Sequence, residues 1–165
     1  MIALELHRPI NLDHIGASGL TVTVEASPAE CAALAARMRL PAVHALTCEF
    51  RLTGGEQSHF AARGHLRACI TQTCVVTLED FETEVEEVFQ VHFVPAGEES
   101  EIIDPEADDD LPYEGNSIDL GEAAAEQLAL ALDPYPRSPG AELPQELLDE
   151  APHPFAALGS LRKLN

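Results

Sequence analysis

Apolar and polar residues alternate in two neighbouring segments, and this pattern constrains the fold more than any other feature of the chain. The apolar residues at even positions are Leu46, Cys48, Phe50 and Leu52, followed by Phe60, Ala62, Leu66, Ala68 and Ile70. A period of two indicates strands with one buried face. Opposed residues of an antiparallel pair share a face, so even positions must pair with even positions. A three-residue loop over residues 54–56 meets this condition and predicts Phe50 opposite Phe60.

A strand and a helix are predicted before this hairpin. Residues 20–26 alternate between apolar and polar side chains, which indicates a strand. Ser27 and Glu30 then form the pattern of a capping box at the start of an alanine-rich helix. We expect this helix to end near Arg39, because Pro41 cannot continue it.

The segment over residues 77–94 is compatible with either a helix or a strand. Four apolar residues fit a helical stripe, whereas a strand with odd positions inward explains two more of them and leaves Glu87 as its one exception. The content of aromatic and β-branched residues also favours a strand. We therefore predict a long strand, which extends the hairpin to an antiparallel meander.

An acidic segment and a second helix follow. Residues 97–116 are rich in Pro, Gly and carboxylates and predict a solvated, mobile loop. A helix is expected over residues 119–132, with Asp119 as its N-cap, and Pro134 ends it. Glu122 and Glu126 are expected on one outward side of this helix, four residues apart.

Together these elements predict an α+β fold, an antiparallel β-sheet of at least four strands packed with two main helices and an acidic loop. We expect residues 1–150 to form one domain, with residues 151–165 as a C-terminal tail. Apolar residues of the tail recur three apart and suit the edge of a short helix.

The distribution of charge narrows the classes of function. The chain has 29 acidic and 9 basic residues, a formal net charge of −20, and no Lys or Arg from Ala68 to Pro136. Nucleic-acid affinity rests on Lys and Arg, so strong direct binding of nucleic acid is not expected. Arg63 and Arg67 lie on one strand face and are the single visible candidate for a phosphate contact. The acidic surface instead favours a basic protein partner, although solubility alone is an equal explanation.

The sequence also limits where the protein is located and which roles its cysteines can have. No apolar run is long enough to span a bilayer and no secretory leader is visible, so a cytoplasmic protein without membrane partners is predicted. Cys69 and Cys74 with His65 and His92 are the alternative, a metal-binding or redox site. Cys69 and Cys74 are five apart and point to opposite faces of a regular strand, so buried thiols are the preferred interpretation.

Three blocks of sequence resemble the YceD family, named for large-ribosomal-RNA-subunit accumulation. They are GHLRACITQTCVVTLEDF at residues 64–81, IDLGEAAAEQLALAL at residues 118–132 and PHPFAALGSLRK at residues 152–163. Many relatives carry Cys-x-x-Cys at the turn in the first block and a further cysteine after the proline-rich run. Here the tetrad is TQTC, ending at Cys74, and the run has no cysteine. The resemblance therefore implies that any metal site of the family has been lost.

The resemblance also implies a non-enzymatic factor without cofactor or metal, supporting accumulation of large-subunit ribosomal RNA. With a net charge of −20, such a factor is expected to contact a basic ribosomal protein or a ribosome assembly factor. The candidate partner-binding residues are Asp119, Glu122, Glu126, Pro154, Phe155, Leu158 and Leu161. An apolar tail that packs on its own domain is an equally open interpretation of the last four.

Overall fold

The order of strands and helices along the chain fits an antiparallel meander with further strands added at its edges. A computed structural model describes residues 5–54, 58–98 and 109–142. The elements are β1 (Pro9–Asn11), a 3-10 helix (Leu12–His14), β2 (Leu20–Glu25), α1 (Pro28–Met38), β3 (Ala42–Gly54), β4 (Phe60–Thr73), β5 (Asp80–Pro95), β6 (Asp109–Tyr113), β7 (Ser117–Asp119) and α2 (Leu120–Ala131). The predicted first strand, both predicted helices and the long strand after the hairpin are therefore confirmed.

The main sheet has the strand order β2-β3-β4-β5-β6. Its first three pairings are antiparallel, and β6 joins β5 in parallel. The strands β1 and β7 form a separate antiparallel pair. The predicted α+β class, with at least four strands and two main helices, is confirmed.

The β3–β4 hairpin has the predicted parity but a different register. Phe50 and Phe60 both face the core side of the sheet, as predicted. However, Phe50 lies opposite Gly64, and Gly54 lies opposite Phe60, so the loop contains five residues rather than three. The predicted pairing of Phe50 with Phe60 is therefore wrong. A loop of three residues and a loop of five both keep the even positions on the same face. The observed register also pairs Gly64 of β4 with Phe89 of β5, whose ring lies over the glycine.

The two helices close the core on one face of the sheet. The predicted capping box of α1 is present, since Ser27 Oγ accepts from Glu30 N–H and the Glu30 carboxylate accepts from Ser27 N–H. Cys31 and Leu34 of α1 and Leu128 of α2 are buried against the inward side chains of the strands. On β3 and β4, the residues that alternate with these inward side chains form the opposite, mostly exposed face of the sheet, which we call the outer face.

The acidic segment is only partly a loop. Residues 109–113 form β6, so the prediction of a loop throughout residues 97–116 is wrong for this stretch. The reason is tertiary: Leu111 packs against the core, and buried Tyr113 donates its hydroxyl to Ser58 O at 2.6 Å. Residues 99–108 and the tail, residues 151–165, lie outside the described part of the chain. No helix in the described part is both long and apolar enough to cross a membrane.

Candidate partner-binding cleft

Three of the predicted partner-binding residues border one cleft between α2 and strand β6. Asp119, Glu122 and Glu126 line a cavity of about 170 Å³ whose other walls are Phe93, Leu111, Pro112, Tyr113 and Ala123. We call this set the acidic cleft. The three carboxylates share one side of α2 because they are three and four residues apart. Strand β6 supplies the facing apolar wall, which sequence analysis missed because the segment was interpreted as a loop.

Asp119 organises the start of α2. Its Oδ1 accepts from Gly121 N–H at 2.9 Å and Glu122 N–H at 3.3 Å, so the predicted N-cap is confirmed. The same carboxylate accepts from Arg8 N–H at 2.8 Å and contacts the His7 ring. Asp119 therefore fixes the N-terminal segment to α2, and its charge is largely engaged within the chain.

Glu122 is paired with a cation of the first helix. Arg37 of α1 donates to both oxygens of Glu122, at 2.6 and 2.9 Å, and also to Glu5 at 3.1 Å. Glu122 thus points toward Arg37, an ion pair that the prediction of an outward side did not include. This is a contact between residues 85 positions apart, which no local pattern reveals.

Glu126 differs from the other two carboxylates. It is half-buried, and no hydrogen bond or ion pair engages it among the described residues. Burial raises the pKa of Glu126 above its usual range, and the neighbouring charge of Glu122 raises it further, while Arg37 opposes both effects. A cation brought to Glu126 would relieve both penalties. The cleft can accept a Lys or Arg side chain, with the aliphatic part on the apolar wall and the charged end at Glu126.

The remaining predicted contact residues cannot be placed. Pro154, Phe155, Leu158 and Leu161 lie outside the described residues. Their role as a contact, or as packing for their own domain, stays a prediction.

The cysteine-bearing turn faces the proline-rich run after α2. Val75 N–H donates to Pro136 O at 2.9 Å, which joins the turn to the run. Cys74 is buried, and its sulfur accepts from Thr77 N–H at 3.4 Å and from Ser138. These hydrogen bonds, that of the Ser138 side chain foremost, lower the pKa of Cys74 to about 6. Within the described ranges, no group of three or more His, Cys, Asp or Glu side chains is arranged to hold a metal ion.

Arg67 lies beside a carboxylate of the neighbouring strand, which the sequence around it does not reveal. Its Nε lies 3.1 Å from Glu86 Oε1 across β4 and β5, and His65 contacts the same oxygen at 2.7 Å. The neighbour of Arg63 across the hairpin is Arg51. The predicted phosphate contact of Arg63 with Arg67 is therefore not an open pair of cations, since Glu86 neutralises Arg67.

Comparison with known proteins identifies the family of the chain. No curated protein and no solved structure matches the chain. A family model described as "Large ribosomal RNA subunit accumulation protein YceD" matches residues 62–162, more than half of the chain. The match begins in β4 and includes β5, β6, β7, α2 and the cysteine-bearing turn. The chain therefore belongs to the YceD family.

Proposed function

We propose that this chain is a non-enzymatic cytoplasmic factor that supports accumulation of large-subunit ribosomal RNA. In this proposal it acts by docking a basic ribosomal protein or assembly factor at the acidic cleft. Membership of the YceD family supports the link to ribosomal RNA. The observation that carries the docking step is Glu126, a half-buried carboxylate beside an apolar wall that enters no hydrogen bond or ion pair among the described residues.

The charge of the whole chain supports the choice of partner. A net charge of −20 attracts basic proteins and repels free RNA at long range. Exposed carboxylates raise the association rate more than they add to final affinity, and salt screens them. Rising salt is therefore expected to slow association steeply, while the apolar wall of the cleft slows dissociation.

The test is recovery of partners from cell extract by the intact chain, at low and at moderate salt, with mass spectrometry of the bound proteins. Glu126→Gln removes the charge of this side chain and keeps its shape. Glu84→Gln is the matched control, because it removes one charge from an exposed position of strand β5 outside the cleft. We expect Glu126→Gln to reduce recovery of basic ribosomal proteins several-fold and Glu84→Gln to leave it unchanged. Equal recovery by both variants, or tight binding of free RNA to the intact chain in physiological salt, contradicts the proposal.

A chain ending at Glu150 tests the part assigned to the tail. If the tail is a contact, the shortened chain keeps its melting temperature but recovers fewer ribosomal proteins. If the tail packs on its own domain, the melting temperature falls sharply. Unchanged stability and unchanged recovery would remove the tail from the proposal and leave the acidic cleft as the contact.

A further inference from the structure

Two arginines face each other on the outer face of the sheet. Arg51 of β3 and Arg63 of β4 are direct cross-strand partners, and both side chains are exposed. Thr21 of β2 lies opposite Arg51, and Gln90 of β5 lies opposite Arg63. The row across these four strands thus contains a hydroxyl, two guanidinium groups and an amide. All four can donate hydrogen bonds, and none is a carboxylate.

The fold does not neutralise this pair. Among the described residues, no ion pair includes Arg51 or Arg63, whereas Arg8, Arg37 and Arg67 each contact a glutamate. The next row on the same face contains Glu49, but no hydrogen bond joins it to either arginine in the described part of the chain. In a chain with 29 carboxylates, it is a specific feature that neither of these two adjacent cations enters an ion pair among the described residues.

The pair has no evident structural benefit. Like charges directly opposite each other across strands lower the stability of a sheet, so the interactions described within the chain do not explain why both positions are arginine. Arg39 and Arg137 also enter no described ion pair, but they lie at the end of α1 and in the proline-rich run and are not cross-strand partners of another arginine. A ligand that carries negative charge would turn the repulsion into a favourable contact.

We propose that Arg51 and Arg63 form a contact site for the phosphate groups of RNA. Guanidinium groups bind phosphate oxygens through two parallel hydrogen bonds, and the two arginines stand on neighbouring strands whose backbones lie about 5 Å apart. On the outer face, the described positions of this row and of the rows two residues to either side of it include no Phe, Tyr or Trp for base stacking. The site therefore contacts the backbone of RNA and does not select its sequence.

This inference rests on the proposed function, because the net charge of the chain opposes capture of RNA from solution. Two phosphate contacts on single-stranded RNA give a salt slope of about −1.4, so a tenfold rise in salt weakens binding about 25-fold. Binding to isolated RNA is therefore expected only at low salt. Once a basic ribosomal protein is docked at the acidic cleft, RNA bound to that protein is held near the sheet, and its high effective concentration makes a weak contact useful.

The test is binding of a short labelled single-stranded RNA to the full chain across a series of low salt concentrations. The variant is Arg51→Gln with Arg63→Gln, which keeps two exposed polar side chains. Arg67→Gln is the matched control, on the same face of β4 but paired with Glu86. We expect the double variant to abolish the salt slope and the control to keep most of it. The melting temperature of the double variant should hold or rise, since repulsion is removed, which separates lost binding from lost folding.

The other outcomes are equally defined. Loss of slope in the control to the same extent as in the double variant would overturn the site, as would unchanged binding by the double variant. Competition by polyglutamate as strong as that by unlabelled RNA would assign the pair to an acidic protein segment and overturn the choice of RNA. Glu126→Gln should leave the RNA slope unchanged. The cleft and the arginine pair can therefore fail independently of each other.

Discussion

Gly64 of β4 lies directly opposite Phe89 of β5, and the Phe89 ring occupies the space above Gly64. A Cβ atom built on residue 64 would stand 2.1 Å from Phe89 Cζ. The same ring meets Phe50 edge to face, with centroids 5.7 Å apart, and Phe50 is the partner of Gly64 on β3. The glycine therefore lets two aromatic rings from non-adjacent strands touch across β4.

Gly64→Ala is expected to lower the free energy of unfolding by about 1 to 3 kcal/mol, the usual range for overpacking, because the Phe89 ring must leave its place against Phe50. Urea unfolding measures this change. Gly54→Ala is the matched control, since no described atom lies within 4 Å of a Cβ at that strand end. A loss of stability that is equal in the two variants would contradict the role of the ring contact.

Glu30 makes stability depend on pH in the acidic range. The Arg8 guanidinium and the hydrogen bonds from Ser27 lower the pKa of Glu30 from 4.5 to about 2. Because the pKa is lower in the folded chain, this carboxylate stabilises the fold at pH values above 4.5 and loses that contribution as the pH falls toward 2. Glu30→Gln should therefore lower the free energy of unfolding by about 1.5 kcal/mol at neutral pH, the scale of a charged hydrogen bond. The difference from the unsubstituted chain should shrink in strong acid.

Thermal unfolding over a pH series measures this dependence. Exposed Glu25→Gln serves as the control, because its side chain is in no described ion pair. A difference between Glu30→Gln and the unsubstituted chain that stays constant down to the lowest pH would contradict the ion pair with Arg8 as the cause.

Glu126 should have the opposite pH dependence. Its pKa is raised in the folded chain, first by burial and then by Glu122, so its ionised form opposes folding. The penalty is absent when Glu126 is protonated and grows as the pH rises through its raised pKa. Glu126→Gln is expected to raise the free energy of unfolding at neutral pH by up to about 0.5 kcal/mol, and to have no such effect in acid. Destabilisation at neutral pH would show that the carboxylate has a stabilising partner.

Cys74 should have a structural role, and the purified protein should contain no stoichiometric zinc. The tetrad at residues 71–74 has one sulfur, and the residue of the proline-rich run that meets it is Ser138. A hydroxyl is a poor replacement for a thiolate ligand of zinc. Elemental analysis of protein purified without chelator measures this directly, and about one zinc per chain would contradict the prediction.

The elements that the sequence alone determined are those whose cause is local. Ser27 and Glu30 are three residues apart, so the capping box of α1 forms wherever that helix begins. The alternation over residues 80–95 favours a strand, because a period of two brings more of its apolar residues to one face than a helical stripe does. The identity of the family likewise comes from three short blocks in order, and the family model confirms it.

The features that only the tertiary structure decided depend on contacts between distant residues. The alternation of apolar residues allows a β3–β4 loop of either three or five residues. The pairing of β4 with β3 and with β5 gives five, and it places Gly64 between Phe50 and Phe89. The acidic segment gains strand β6 because β5 offers it a free edge and the core accepts Tyr113. Arg37 reaches Glu122, and Glu86 reaches Arg67, only once helices and strands have packed. The composition gives the number of charged residues but not which residues lie beside them in the fold. Only the folded chain therefore shows which carboxylate of α2, and which two arginines of the sheet, enter no ion pair among the described residues.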